Sequence, residues 1–275
     1  MDLNDYLDCI DIIYWINLDR SINRRNNMLE ILSDIDIKKQ RITAIDGKNL
    51  PKAELYSQLG NIDYSRTDVE YACLLSHLNA IKTFNISNYN IALILEDDIT
   101  LEYVKFWNKS ICEIIKNAPK DWEIIMLNYQ YNYDISNIST SDYVMNHKGN
   151  ISCAQAYLIN KRGSNKLMDK ILKNNKYMLT KCNIHTADNY IFCMLKTYVY
   201  KYPYFTFPTD NDSTIHTSHL NFHKYSKELA RKMWENNNDK FNNPFVPFRM
   251  CNPFLIIVSI LIIIIIYILM LSKKV

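Results

Sequence analysis

Three consecutive carboxylates, Glu96, Asp97 and Asp98, directly follow the apolar segment "IALIL" at 91–95. Carboxylates spaced x and x+2 in a turn after a strand can point the same way and share one cation. Mg²⁺ and Mn²⁺ prefer such oxygen ligands, and substrate phosphates often complete their coordination. A cation held there could neutralise a diphosphate leaving group as a Lewis acid. The same spacing also fits a solvated acidic turn, so the triplet by itself leaves both interpretations open.

The segments that would position these acids alternate between strands and helices. Apolar runs typical of buried strands cover 11–20, 40–47, 91–95, 122–127 and 153–159. Helices are predicted at 21–32, 67–84, 164–172 and 188–196. This alternation predicts an α/β fold with a mixed, mostly parallel sheet, in which ligands bind beyond the carboxyl ends of the strands. We expect Asn17, the acidic triplet, Asn128 and the segment after Ile159 at that edge.

Two of the predicted helices show which residues could face the core. Thr67 and Glu70 have the capping-box spacing T-x-x-E, so a helix should begin there. Its apolar face at 3.6-residue spacing would carry Val69, Ala72, Cys73, Ser76, His77, Ala80, Ile81 and Phe84. A histidine on such a face is more often a hydrogen-bonded core residue than a ligand, so we expect a structural role for His77. The residues available for the inner face of the helix at 21–32 are Ile22, Met28, Leu29 and Leu32.

Composition indicates a globular chain in a reducing compartment. The 275 residues are 48% hydrophobic and 22% charged, and the net charge of +3 is too small to indicate a nucleic-acid partner. The seven cysteines are an odd number and form no C-x-x-C pair. The first ten residues are acidic and do not resemble a secretory signal. These features predict unpaired thiols and a cytosolic location for the main domain.

The last part of the chain has a different composition. The segment 253–272 is apolar and uncharged, and Lys273 and Lys274 follow it. About 20 apolar residues in a helix span a hydrocarbon core, so a single C-terminal transmembrane helix is predicted. A buried core helix is the alternative. The predicted organisation is a catalytic domain at 1–235, a linker rich in Asn and Pro at 236–252, and a tail anchor at 253–272.

Four short motifs occur in one order along the chain: "INLDRSINR" at 16–24, "AIDG" at 44–47, "ACLLSH" at 72–77 and "LEDD" at 95–98. Together they resemble glycosyltransferase family 25, which includes lipooligosaccharide-type sugar transferases and procollagen galactosyltransferases. "AQAYLINKRGSNKL" and "TADNYI" resemble later elements of that family, so the likeness covers about residues 11 to 220. The resemblance implies a GT-A-like nucleotide-sugar-binding fold and inverting transfer of a sugar from a nucleotide diphosphate donor.

The resemblance also implies roles for the acids, and it favours positioning of the acidic loop as the role of His77. Glu96 and Asp98 would take the part of the D-x-D signature of GT-A enzymes. Asp98 would bind Mn²⁺ (or Mg²⁺), while Glu96 or Asp97 would orient the donor ribose or the waters of the metal. His216 in "STIHTSH" is a candidate for a further metal ligand from a late segment, with His219 close by, although both could be surface residues.

Donor contacts are expected from the first motif. Asn17 and Asp19 end the first strand, where the base or ribose of a nucleotide would lie in such a fold; a plain strand-end turn is the alternative. Arg24 has a guanidinium suited to bidentate phosphate contact, unless it is an exposed helix arginine. Arg25 could do the same, and the sequence does not separate the two.

Asp188 is the candidate general base. Inverting transfer needs a group that takes the proton of the acceptor hydroxyl as it attacks. Asp188 lies at a predicted helix start, where the helix dipole keeps a carboxylate ionised. Ordinary stabilisation of the helix N-terminus is the alternative, and His185 is a weaker competitor for the base.

The sequence therefore predicts a membrane-anchored transferase of galactose or glucose. Its partners would be a nucleotide-sugar donor and a glycan, lipid or hydroxylated protein acceptor. One alternative is a catalytically inactive relative that tethers a partner to the membrane. Another is a metal-dependent phosphoesterase, but such an enzyme usually needs more His and Asp metal ligands than the sequence offers.

Overall fold

The apolar segments predicted as strands form the middle of one large sheet. The computed structural model describes residues 3–129, 141–180, 185–206, 208, 226–228 and 230–235. The strands in these ranges are β1 (Ile12–Asn17), β2 (Lys38–Thr43), β3 (Leu59–Gly60), β4 (Ile91–Glu96), β5 (Ile124–Met126), β6 (Tyr143–Met145), β7 (Ala156–Asn160), β8 (Leu172–Lys173), β9 (Lys176–Met178) and β10 (Thr197–Tyr200).

Within the described residues the large sheet has the strand order β2-β1-β4-β7-β5-β10-β6. Strands β2, β1, β4, β5 and β10 run one way, and β7 and β6 run the other way. The predicted α/β fold with a mixed, mostly parallel sheet is therefore confirmed. The antiparallel strand β7 lies between β4 and β5, so residue 155 at its start shares an edge with the ends of β1 and β4. The segment after Ile159 lies at the opposite edge, which corrects the expectation for that segment.

Helices cover both faces of this sheet. They are α1 (Leu3–Tyr6), α2 (Ile22–Ile31), α3 (Lys52–Ser57), α4 (Asp68–Ile86), α5 (Ile111–Asn117), α6 (Lys161–Ile171) and α7 (Ala187–Met194). Side chains alternate across β1, because successive residues of a strand point to opposite faces. Ile12 and Tyr14 belong to a buried cluster that includes residues of α4, α6 and α7, and Ile13 and Trp15 belong to one that includes residues of α2 and α5.

The capping box at the start of α4 is confirmed. The Thr67 hydroxyl accepts the Glu70 N–H at 3.3 Å, and the Glu70 carboxylate accepts the Thr67 N–H at 2.8 Å. The helix is buried on more than one face, because it packs against β1 and β2 and against α3, α6 and α7. The predicted single face was too narrow, since it omitted four fully buried residues: Tyr71, Leu74, Leu75 and Leu78.

The inner face of α2 was only half predicted. Met28 and Leu32 are buried, whereas Ile22 is 59% exposed and Leu29 is 55% exposed. The prediction is wrong for Ile22 and Leu29 because each residue of a helix turns by about 100°. Leu29 therefore points well away from Met28, and Ile22, seven residues earlier, shares the outward face of Leu29.

The prediction of unpaired cysteines is wrong for Cys9 and Cys112. They form a disulfide with a Cα–Cα distance of 5.2 Å, which joins the turn before β1 to the first turn of α5. The two residues are 103 apart in the sequence, so no spacing motif could indicate the pair. Because these two cysteines are paired, the cysteines no longer support the prediction of a cytosolic location. Within the described residues, Cys73 and Cys153 are free thiols.

The predicted anchor is not represented among the described residues. No helix within them is long and apolar enough to cross a membrane. The predicted linker at 236–252 and transmembrane helix at 253–272 lie outside the described ranges. All described residues except Glu235 belong to one compact unit, Met1–Trp234.

Candidate active site

A cleft opens where β1 and β4 end, beside the first half of α4. Its lining comes from segments within 16–24, 44–47, 69–77 and 96–98, and its empty volume, partly open to solvent, is about 710 Å³. These segments contain the four sequence motifs. The parallel register of β1 on β4 places Ile16 beside Glu96 and so brings the first and last motifs together.

Asp97 anchors the acidic loop to β1 and α2. The Asn17 side chain donates to Asp97 Oδ2 at 2.6 Å, and Arg24 donates to Asp97 Oδ1 at 2.9 Å. Burial raises the pKa of Asp97, and the charge of Asp98 adds to this, while Asn17 and Arg24 oppose it. Both carboxylate oxygens are thus engaged by neighbouring side chains, and this carboxylate holds the loop in place.

Asp98 is oriented by a residue that the sequence analysis did not single out. The Gln155 amide donates to Asp98 Oδ1 at 2.7 Å and to the Asp98 carbonyl at 3.0 Å. Asn128, buried after β5, donates in turn to the Gln155 side-chain oxygen. Asp98 Oδ2 is 3.5 Å from the Arg24 guanidinium. The only sequence signal for this role was a glutamine at the start of an apolar strand.

His77 holds the third carboxylate of the triplet. Its Nε2 is 3.0 Å from Glu96 Oε1, and its Nδ1 is 3.1 Å from the Tyr157 hydroxyl. The histidine is only 1% exposed, so the ring is fixed between these two groups. Burial raises the pKa of Glu96, and the hydrogen bond from His77 opposes this shift. The structure thus places His77 where a positioning residue for the acidic loop was expected.

The structure distinguishes the two arginines that the sequence could not separate. Arg24 lines the cleft and contacts Asp97, whereas Arg25 donates to the Asp19 carbonyl at 2.8 Å and to its carboxylate at 3.2 Å. Arg41 on β2, which the sequence analysis missed, contacts the Asp19 carboxylate and donates to the Asn17 side-chain oxygen at 3.0 Å. Its link with Asn17 depends on the pairing of β1 with β2.

Asp188 lies in the first turn of α7 and is not among the described residues that line the cleft. Its carboxylate accepts from the Cys153 N–H at 3.1 Å, the Thr186 hydroxyl at 2.8 Å and the Asn189 N–H at 2.8 Å. Cys153 has a φ of +112°, and it lies two residues before the glutamine that orients Asp98. Asp188 therefore supports a strained segment next to the acidic loop.

Three further histidines were candidates for the base or for a metal ligand. His185 is buried, and its Nδ1 is 3.5 Å from Asp63 Oδ2; no described residue forms a hydrogen bond with either ring nitrogen. His216 and His219 lie outside the described residues.

The charge of the cleft fits a divalent cation. Its lining contains four carboxylates and two guanidinium groups, a formal balance of two negative charges: Asp46, Glu96, Asp97 and Asp98 against Arg20 and Arg24. Asp46 and Arg20 pair at 2.6 Å, which leaves the excess charge at the acidic triplet. Oxygen ligands of this kind suit Mn²⁺ or Mg²⁺.

Comparisons with known proteins agree with the motifs in the cleft. Residues 10–191 match the family described as glycosyltransferase family 25 (LPS biosynthesis protein). Procollagen galactosyltransferase 1-A of Xenopus laevis is 26% identical over 205 residues, which is 66% of this chain and 32% of that protein. Procollagen galactosyltransferase 2 of Mus musculus is 33% identical over 130 residues, 42% of this chain and 20% of that protein.

A solved structure, the glycosyltransferase GlyE in Streptococcus pneumoniae TIGR4, is 9% identical and has a TM-score of 0.33. The match covers 83% of the present chain and 64% of the GlyE chain. The present chain spans about a third or less of the length of the procollagen galactosyltransferases named above. The family match covers more than half of the chain and includes all four cleft motifs. The chain therefore belongs to glycosyltransferase family 25.

Proposed function

We propose that this chain is a glycosyltransferase that moves a hexose, galactose or glucose, from a nucleotide diphosphate donor to a hydroxyl acceptor. The transfer inverts the configuration at the sugar C1, and the fold is GT-A-like. One observation carries the proposal: the four motifs of the family line a single cleft at the carboxyl ends of β1 and β4. Such a position is where open α/β sheets bind nucleotides.

The charge of the cleft supports a metal-dependent donor site. A nucleoside diphosphate is an anion, and the excess negative charge at the triplet would repel it. Asp98 would hold Mn²⁺ (or Mg²⁺), with Glu96 nearby and His216 as a further candidate ligand. The cation would supply Lewis-acid neutralisation of the leaving diphosphate when bound.

The chain's own residues would fix the donor and move a proton. Arg24 is the cleft cation next to the triplet, so its guanidinium is suited to a donor phosphate. Asn17 sets the position of Asp97. Asp19 does not line the cleft among the described residues and pairs with Arg25 and Arg41, but its carboxylate is 70% exposed and stays our candidate contact for the ribose. Asp188 remains our proposed base, acting on the acceptor hydroxyl.

The acceptor class is proposed from the named relatives, and the membrane location is proposed from the apolar segment near the end of the chain. The named relatives are procollagen galactosyltransferases, which supports a hydroxylated protein side chain as one acceptor class beside glycans and lipids. The apolar segment 253–272 supports tethering to a membrane. Cytosolic placement of the catalytic unit stays a prediction.

The test is release of UDP by the purified full chain from a panel of UDP-sugars with Mn²⁺. We expect slow donor hydrolysis with one sugar, lost with EDTA. Asp98→Asn should reduce it by more than the roughly 10–100-fold cost of losing a residue that only orients a metal ligand. Asp169→Asn is the matched control, because Asp169 is exposed on α6.

Two results would contradict the proposal. Equal UDP release by Asp98→Asn and wild type would remove the metal assignment. No release from any donor by a folded chain would instead favour the inactive, tethering relative.

A further inference from the structure

A second group of potential metal ligands lies on the α4 side of the cleft. Cys73 and His77 are one helical turn apart, and Glu96 ends the neighbouring strand β4. The thiol sulfur, an imidazole nitrogen and a carboxylate oxygen all lie within 4.8 Å of one another. Residues i and i+4 lie on the same helix face, so the two α4 side chains point the same way.

The distances suit a small tetrahedral ion. His77 Nε2 and Glu96 Oε1 are 3.0 Å apart. Two ligands that each lie about 2.0 Å from a tetrahedral Zn²⁺ are separated by about 3.3 Å. The spacing of the His77 and Glu96 atoms is therefore close to that of two tetrahedral ligands, and the Cys73 sulfur lies within 4.8 Å of both.

His77 already has the support that metal-binding histidines normally have. Its Nδ1 is hydrogen-bonded to Tyr157 at 3.1 Å, and the two rings stack at 5.9 Å between centroids. Such a partner on the far nitrogen fixes the ring and directs the other nitrogen at the metal. Tyr157 is fully buried, so this support is rigid.

The thiol of Cys73 is free and lines the cleft. Burial raises its pKa, and the nearby carboxylates, Glu96 first among them, add to this. As a free thiol at the cleft wall, Cys73 can supply the third ligand beside His77 and Glu96.

We propose that Cys73, His77 and Glu96 bind a thiophilic divalent cation, such as Zn²⁺, and that its binding inhibits the donor site. This site differs from the oxygen site at Asp98, because sulfur and imidazole ligands select Zn²⁺ over Mn²⁺. Glu96 belongs to both clusters, so a zinc-like ion would hold this carboxylate on α4 and away from the donor. The inhibitory half rests on the proposed transferase activity, and the binding half does not.

The binding half is tested with Co²⁺ as the probe, added to the reduced, purified full chain. We expect one equivalent to give a sulfur-to-cobalt charge-transfer band together with the visible bands of tetrahedral cobalt. Cys73→Ser should abolish the charge-transfer band. Tyr157→Phe should weaken Co²⁺ binding by about 10–100-fold. Cys193→Ser, at a half-buried cysteine on α7, is the matched control and should keep the band.

Circular dichroism of each variant separates loss of the site from loss of the fold. A band that persists in folded Cys73→Ser, or its absence in wild type, would overturn the proposal. For the inhibitory half, Zn²⁺ should reduce UDP release by wild type more strongly than by Cys73→Ser, each compared with its own zinc-free rate. Equal sensitivity of the two would overturn that half. Absence of UDP release from the zinc-free wild type, together with an intact cobalt spectrum, would contradict only the transferase proposal.

Discussion

Asn17→Ala is expected to destabilise the protein because it removes the buried partner of Asp97. Asn17 is 1% exposed and Asp97 is 7% exposed, and their 2.6 Å hydrogen bond involves a charged acceptor. Such a bond contributes about 1.5–3 kcal/mol. The same substitution removes the oxygen that accepts from Arg25 and Arg41, but these side chains are 29% and 24% exposed. Solvent screening limits that loss to about 1 kcal/mol or less.

The expected loss in free energy of unfolding is therefore about 1.5–4 kcal/mol at neutral pH. It can be measured by urea denaturation, with Asn26→Ala as the matched control. Asn26 is exposed on α2, and its replacement should change stability by less than about 0.5 kcal/mol.

The pH dependence gives a second check on the same reasoning. The Asn17 bond favours ionised Asp97, so its contribution is present above the pKa of Asp97 and is lost as pH falls through it. The difference between wild type and Asn17→Ala should shrink in acid. A loss no larger than that of Asn26→Ala, or one that does not change with pH, would refute the assignment of Asn17 as the anchor of Asp97.

Three further predictions concern the cleft and its surroundings. Gly47→Ala would place a Cβ 2.6 Å from the Asp68 carbonyl and 2.7 Å from a Cα of α4, so we expect a loss of about 1–3 kcal/mol by urea denaturation; unchanged stability would contradict the close packing. Asp188→Asn should retain UDP affinity by calorimetry and lose transfer about 10²–10⁴-fold. Loss of both UDP affinity and transfer would contradict a role as the base and would show that Asp188 only supports the segment at Cys153. Burial raises the pKa of Glu96 and of Asp97 in the folded, metal-free chain. The stabilisation linked to their bound protons is therefore fully present below the pKa values of the unfolded chain, and it is lost as pH rises through the pKa values of the folded chain. The Tm increase given by Mn²⁺ should grow over the same range, and a flat Mn²⁺ effect would contradict a carboxylate site.

Local patterns in the sequence were sufficient for the central strands, for α2, α4, α6 and α7, and for the acidic cluster. A continuous apolar run predicts a buried strand wherever it occurs, so β1, β4, β5 and β7 were predicted near their observed positions. The capping box of α4 depends on two residues three positions apart, and it was predicted for the same reason. The capping box Ser110–Glu113 at the start of α5 has the same pattern in the sequence and was overlooked.

Contacts between distant parts of the chain could not be predicted in this way. Arg41 reaches Asn17 only because β2 pairs with β1, and Tyr157 supports His77 across 80 residues. The disulfide joins residues 103 apart. Each of these contacts depends on strand order or on helix packing, which no short window of sequence contains.

The clearest case is the partner of Asp98. Gln155 precedes β7, and in a fully parallel sheet the start of a strand lies at the edge opposite the acidic triplet. Strand β7 instead runs antiparallel between β4 and β5, which brings its first residues to the edge where β4 ends. The sequence by itself determined that β7 is a strand and that acids follow β4. Only the tertiary structure decided the direction of β7, because that direction is set by pairing with both neighbours, and with it which side chain orients Asp98.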